Sequence, residues 1–338
     1  MFRSSTQDKS AVCQGLAAPN SYAQNAIVES LIEGNQGYSQ GSILLSTLFG
    51  QLYQQGSLTM VFKERASRAR GVVEEHRLME LHLYPGNQCN RDCDFCTVFG
   101  TPKGWYTEYT AEHLEATLNS VMLHAAGTIK FYGGEPTLNH DNVMWAIAYL
   151  REHGFQGAIV IYSNGIQADR LLAILASDPL GNTTASLNYS IATGDGAPQM
   201  PLSSLRKLEE HERAQPGTIA IGHPDIVDSG RGVDPFTGKE TRSKETHRCP
   251  HCYPVLKTDG TFHACPFAVE NADPHFQLGM VQDDPKTVTQ NFQTFLNWID
   301  TVHEPYAIAH DLPACTVCWK HLEALPQPMY AESERVEA

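Results

Sequence analysis

Three cysteines within eight residues, Cys89, Cys93 and Cys96, constrain this chain more than any other feature. Carried on one loop at this spacing, three thiolates can each take a different iron of one cubane and leave the fourth iron without a protein ligand. Zinc is the competing occupant. A structural zinc site takes four ligands, and no His or Cys lies between Cys96 and His113 to complete one. The spacing therefore favours a [4Fe–4S] cluster with one open iron.

The setting favours metal over disulfides. The chain begins MFRSSTQDK with no apolar run behind it, so no signal peptide is expected. No window approaches the roughly 18 consecutive apolar residues of a membrane helix. A cytoplasmic location is the expectation, and there nine cysteines do not make a disulfide framework. With 24 basic and 38 acidic residues the net charge is −14. That balance argues against nucleic acid or a membrane surface as partner. It suits a small molecule or a peptide as substrate.

The chain divides into three parts. Residues 1–76 read as a helical N-terminal extension punctuated by Gly34, Gly37 and Gly41, and Cys13 lies in it without a motif. Residues 77–225 alternate strand with helix. Strands are expected at Leu78–Leu83, Thr128–Tyr132, Ala158–Tyr162, Ser186–Ile191 and Ile219–Ile221. Helical spacing marks Thr110–Ala126, Asn142–His153, Ala168–Ala176 and Leu202–Arg213. Repeated βα units imply a parallel sheet with helical crossovers. The fold class is thus α/β, a partial (β/α)6 barrel. Residues 226–338 change texture: Asp259-Gly260 between two short strand-like runs signals a hairpin. A helix over Thr287–His303 follows, and the region reads as a small Cys-rich α+β domain. Trp105-Tyr106, just past the cysteine loop, reads as core in preference to a wall of a cofactor site.

The segment Cys89-Asn90-Arg91-Asp92-Cys93-Asp94-Phe95-Cys96, with Phe95 just before the last cysteine, resembles the signature of the radical S-adenosylmethionine superfamily. Gly133-Gly134-Glu135-Pro136, ending the second strand, resembles that family's GGEP motif. Tyr162-Ser163-Asn164-Gly165, ending the third, is similar to its frequent Thr-Asn-Gly. All three fall at C-terminal strand ends, where barrels of this kind carry their sites. The resemblance implies a reductive cleavage of S-adenosylmethionine to a 5′-deoxyadenosyl radical, which abstracts a hydrogen atom from substrate. It also implies that Glu135 and the surrounding backbone meet the methionine amino group, with Ser163 and Asn164 nearby. On the fourth strand, Asn188 and Ser190 share a face and are candidates for the ribose hydroxyls.

A second cysteine group comprises Cys249-x2-Cys252, Gly260-x4-Cys265 and Cys315-x2-Cys318. Two C-x2-C pairs can build one tetrahedral S4 site for zinc or iron. The spacing also resembles the C-terminal extensions called SPASM and twitch domains, which bind auxiliary [4Fe–4S] clusters. A full SPASM extension uses more cysteines, so the resemblance implies the shorter form with one auxiliary cluster. Its ligands would be Cys265, Cys315 and Cys318 with Cys249 or Cys252. The remaining thiol is either spare or a hydrogen-atom or proton donor, and Cys252 is the candidate for that catalytic role.

The resemblance covers about residues 78–320 and points to no single reaction. Extensions of this type occur most in maturases of ribosomally made precursor peptides, which crosslink, epimerise or excise residues. Among these the chain looks like maturases paired with nitrile-hydratase-like or Nif11-type leader peptides. A dehydrogenase or epimerase of a carbohydrate-like metabolite is the alternative, and a zinc-binding interaction protein the non-enzymatic one. The implied partners are an electron donor such as flavodoxin or ferredoxin and, since residues 1–76 show no winged-helix pattern, a separate leader-binding protein.

Overall fold

The computed structural model describes residues 80–93, 95–122, 127–188, 200–222, 247, 249 and 253–331. Expectations for residues 1–76, for Ser190 and for Cys252 lie outside them.

Four βα repeats and a fifth strand follow one another as expected. Strand β1 (Glu80–Tyr84) leads to helix α1 (Ala111–Met122), β2 (Thr128–Phe131) to α2 (His140–Glu152), and β3 (Ala158–Ser163) to α3 (Ala168–Ala176). Then come β4 (Thr183–Asn188), α4 (Leu202–Ala214) and β5 (Ile219–Gly222). Each of these strands pairs in parallel with its predecessor.

Strand β4 starts three residues earlier than its branched and apolar residues suggested. Thr183 pairs with Ile159 of β3, so parallel ladder bonds hold polar residues that look like loop in isolation.

The sixth parallel strand comes from the C-terminal region. Strand β6 (Val255–Lys257) lies beside β1, with Val255 opposite His82. Strands β7 (Thr261–His263) and β8 (Gln277–Met280) extend the sheet antiparallel, giving the order β5-β4-β3-β2-β1-β6-β7-β8. The Asp259-Gly260 hairpin expected in a small C-terminal domain is therefore continuous with the main sheet.

Two faces of the sheet differ in chemistry because side chains alternate along a strand. Leu81, Leu83, Ile129, Phe131, Ile159 and Ile161 join the core shared with Leu114, Ile147, Leu150, Leu171 and Ile174 of the helices. The opposite positions carry Glu80, His82, Lys130, Tyr132 and Tyr162. Glu80, His82 and Lys130 are buried. Lys130 donates to Glu80 at 2.7 Å and stands 5.6 Å from the Tyr162 ring centroid. Burial opposes ionisation of Glu80, but the nearby His82 and the hydrogen-bonded Lys130 with its charge outweigh it and hold the carboxyl at about 2.

After the sheet, helix α5 (Pro285–Trp298) begins where the Asp284 carboxylate caps Lys286 N–H at 3.0 Å with Pro285 in the first turn. It passes into a π-helical turn at Ile299–His303 and then α6 (Glu304–Ala309) and α7 (Ala314–Lys320). The single helix expected over Thr287–His303 is thus longer at its start and changes pitch at its end. Among the described residues no helix is long and apolar enough to cross a membrane.

Candidate cluster and cofactor site

Backbone hydrogen bonds within the loop and from neighbouring strand ends shape the first cysteine group. The segment leaving β1 is closed on itself by the carbonyl of Trp105, which accepts from Asn87 and Gln88 N–H at 3.0 Å each. Cys89 N–H donates to Thr101 O, also at 3.0 Å. Trp105 closes the loop with its backbone while its ring is exposed, and Tyr106 is half-buried with its hydroxyl on Asn142. Neither is core, which corrects the expectation for this pair.

The Gly-Gly-Glu-Pro turn docks onto the same segment. Gly134 N–H donates to Gly86 O at 2.9 Å and Glu135 N–H to Gln88 O at 2.8 Å. Only glycine permits this approach, since a Cβ on Gly134 would stand 1.8 Å from Gln88 O. Gly133 adds a φ of +133°, which L side chains rarely adopt. Gly134→Ala is therefore expected to push the turn off the cysteine loop. A calorimetric Tm lowered by several degrees, with iron uptake reduced in parallel, is the check; an unchanged Tm would contradict this packing.

Glu135 is buried and its carboxylate gathers the third motif. Oε1 accepts from Thr137 N–H at 3.1 Å, Thr137 Oγ1 at 2.7 Å and Ser163 Oγ at 2.8 Å, while Oε2 accepts from Asn164 N–H at 2.8 Å. Burial pushes this carboxyl above the usual range, against all these donors. Pro136 starts the short 3₁₀ turn behind it. Asn164 in turn reaches the cysteine loop: its Nδ2 donates to Asn90 Oδ1 at 2.8 Å and lies 3.8 Å from Cys89 Sγ. Asn90 and Gln88 complete this junction and were not singled out by sequence; nothing in their residue types marks them.

The three sulfurs fit an electron-poor guest. Burial first, then the Glu135 charge and the neighbouring Cys96 and Cys93, push the Cys89 thiol up to about 12. Burial also raises Cys96, against the N–H of Gly100, which donates to its sulfur at 3.1 Å. A Cβ on Gly100 would stand 3.3 Å from both Cys96 Sγ and Cys89 Cβ, so glycine keeps that side of the loop open. Such thiols keep their protons until metal displaces them. Arg91 is buried, and its Nε and Nη2 have no partner among the described residues. A buried cation there suits a group of net negative charge such as a thiolate-bound cluster. Phe95 is half-buried on the same loop. The backbone of Asn188 pairs with Gly222 of β5 at the end of β4.

The second group converges as well. Burial first, then Cys249, pushes Cys265 up to about 12. Cys318 is raised well above the ordinary thiol by burial, and then by Cys249, Cys265 and Cys315. Cys249, Cys265 and Cys315 are thus each within electrostatic reach of Cys318, and all but Cys315 are buried. His303, fully buried, lies beside them with Nε2 3.2 Å from Cys318 Sγ. Burial holds its imidazole at about 4, hence neutral. Among the described residues no three His, Cys, Asp or Glu side chains converge closely enough for a single metal ion. A cubane takes each sulfur on a separate iron and calls for a wider set.

No curated protein matches the chain. Among solved structures it is similar to BtrN in complex with AdoMet and 2-DOIA, at 18% identity over 70% of this chain and 92% of that one, with a TM-score of 0.49. Native anSMEcpe with bound AdoMet is similar at 14% identity over 64% and 82%, TM-score 0.41. Streptococcus suis SuiB bound to S-adenosylmethionine is similar at 11% over 68% and 72%, TM-score 0.24. The Radical SAM superfamily model matches residues 83–195, a span that holds the cysteine loop, Glu135 and Asn164. Residues 83–195 are a radical SAM domain.

Proposed function

We propose that Cys89, Cys93 and Cys96 hold the [4Fe–4S] cluster of a radical S-adenosylmethionine enzyme that modifies a ribosomally made precursor peptide. The observation that carries the reading is the junction of three strand ends: Glu135 N–H on Gln88 O, Asn164 N–H on Glu135 Oε2, and Asn164 Nδ2 on Asn90. When bound, the cluster and S-adenosylmethionine supply a 5′-deoxyadenosyl radical able to take a hydrogen atom from an unactivated C–H.

The chain's own groups then bind and exclude. Glu135 Oε2 carries one donor against three on Oε1, so it keeps an acceptor site for the cofactor's ammonium. Ser163 and Asn164 hold that carboxylate in place, and Gly133, Gly134 and Pro136 set the turn that presents it. Phe95, Asn188 and Ser190 are proposed to line the rest of the cofactor site. Glu80, His82, Lys130, Tyr132 and Tyr162 give the face opposite the helices a polar, hydroxyl-bearing surface for substrate.

Cys249, Cys265, Cys315 and Cys318 are proposed to hold one auxiliary [4Fe–4S] cluster, with Cys252 as spare thiol or donor. Their convergence supports this, as does their resemblance to twitch-type extensions. A peptide substrate rests on that same resemblance. An electron donor such as flavodoxin or ferredoxin would supply the reducing electron. The test is an anaerobic assay with precursor peptides encoded beside the gene, read by mass spectrometry. Loss of two hydrogens, deuterium uptake at unchanged mass, or loss of a residue fragment each supports a maturase. Inert peptides alongside oxidation of a carbohydrate-like metabolite would overturn the peptide reading.

A further inference from the structure

The π-helical turn at Ile299–His303 aims one side chain at the second cysteine group. A π turn inserts a residue into a helix, is rare, and frequently falls at functional positions. Here it ends at His303, which is fully buried and 3.2 Å by Nε2 from Cys318 Sγ. The same Nε2 lies 3.1 Å from the carbonyl of Ala314, the first residue of α7. A carbonyl only accepts, so Nε2 carries the hydrogen. Its one hydrogen lies between that carbonyl and the Cys318 sulfur, so the sulfur stands as a second acceptor of a shared hydrogen bond. Nδ1 is buried without a partner among the described residues, and the ring packs 5.6 Å from Trp298.

We propose that His303 donates a hydrogen bond to the Cys318 sulfur of the auxiliary cluster and raises that cluster's reduction potential. The inference rests on the proposal that Cys249, Cys265, Cys315 and Cys318 hold such a cluster. A hydrogen bond to a ligating sulfur stabilises the added electron, because reduction puts negative charge on the sulfurs. The donor is held from both sides, by the π turn and by the start of α7, so it keeps its aim whichever redox state is present. His303 acts through the Cys318 sulfur and is a positioning residue. Trp298 and the buried surroundings keep water from replacing its N–H.

The experiment uses the full-length chain with Cys89, Cys93 and Cys96 all replaced by alanine, which leaves only the second cluster's signal. The chain is reconstituted anaerobically, its iron and sulfide are counted, and its midpoint potential is followed by electron paramagnetic resonance. His303→Phe keeps a planar ring and removes the donor; His303→Gln restores an N–H. The expected result is unchanged iron content with a tenfold weaker reduction equilibrium in His303→Phe, about 59 mV for one electron. His303→Gln is expected to recover part of that shift. An unchanged potential in His303→Phe overturns the donor role. Loss of the cluster's iron in His303→Phe and His303→Gln alike also overturns it, assigning His303 to ligation or assembly instead. If the parent triple variant binds no iron–sulfur cluster, the auxiliary-cluster reading itself has failed, and the donor role falls with it.

Discussion

Cys93→Ala is expected to lose the first cluster and, with it, all formation of 5′-deoxyadenosine from S-adenosylmethionine. On the proposed ligation three thiolates are the whole protein contribution to that cubane, so removing one leaves two irons open and the cluster labile. Iron should fall by about four per chain, one cubane's worth. The fold should survive, because Cys93 is only half-buried on a loop that Trp105 O and Thr101 O close from elsewhere. Circular dichroism and a thermal melt separate the two effects. A variant that keeps its melting temperature but makes no 5′-deoxyadenosine is the expected outcome. One that still cleaves the cofactor would remove Cys93 from the site.

The second large effect lies beneath the site, in the buried pair that sets the start of β3. Arg151, near the end of α2, forks onto Asp178 through Nε at 2.9 Å and Nη2 at 2.8 Å, and its Nη1 binds Phe155 O and Gly157 O at 2.8 Å each. Those carbonyls lead into β3, which ends at Ser163-Asn164. Asp178 also accepts from Leu180 N–H, Asn182 N–H and Thr183 Oγ1. Removing one partner strands the other charge in the interior, which costs about 3–5 kcal/mol. That is a large share of the roughly 5–15 kcal/mol of a whole domain. Asp178→Asn should therefore lower the urea midpoint sharply. Arg151→Met with Asp178→Leu should cost less than either single change.

The same pair gives a pH dependence with a definite sign. Burial opposes ionisation of Asp178, yet the hydrogen bonds from Arg151, Thr183 and Leu180 and the Arg151 charge outweigh it and hold the carboxyl at about 2. The unfolded value is about 3.9. A carboxyl depressed on folding stabilises fully above its unfolded value and loses that contribution as pH falls towards the folded one. Glu80, also at about 2, adds to the same window. Stability should fall from about pH 5 down to about pH 2, and Asp178→Asn should show a shallower acid limb. An identical limb in that variant would show that Asp178 is not responsible.

Much of the site was legible because its signals are local. The cysteine spacing, the Gly-Gly-Glu-Pro turn and the Ser-Asn-Gly turn each lie within a few residues, directly after short strands that carry apolar residues on one face. Parallel βα order then forces those strand ends to one edge. Long-range pairings were not legible. Nothing in Val255–Lys257 announces that it adds to β1, since any short branched strand can join either edge of an open sheet. The polar face was half visible in the alternation Glu80-Leu81-His82-Leu83-Tyr84, but the partner that makes it tolerable, Lys130, comes 50 residues on from Glu80. His303 lies 15 residues from Cys318, a separation that matches no ligand spacing, and only the π turn and α7 bring them together. The start of α5 was missed although Asp284-Pro285 is an ordinary helix start, because the apolar period begins later.

The central claim is that this chain reductively cleaves S-adenosylmethionine at an iron–sulfur cluster. The measurement is anaerobic reconstitution with iron and sulfide, followed by dithionite and S-adenosylmethionine, with metal content, visible absorbance and 5′-deoxyadenosine read from one preparation. About eight irons for two cubanes, broad sulfur-to-iron charge-transfer absorbance and accumulating 5′-deoxyadenosine are the expected result. A chain that takes up zinc instead, shows no such absorbance and yields no 5′-deoxyadenosine would contradict it.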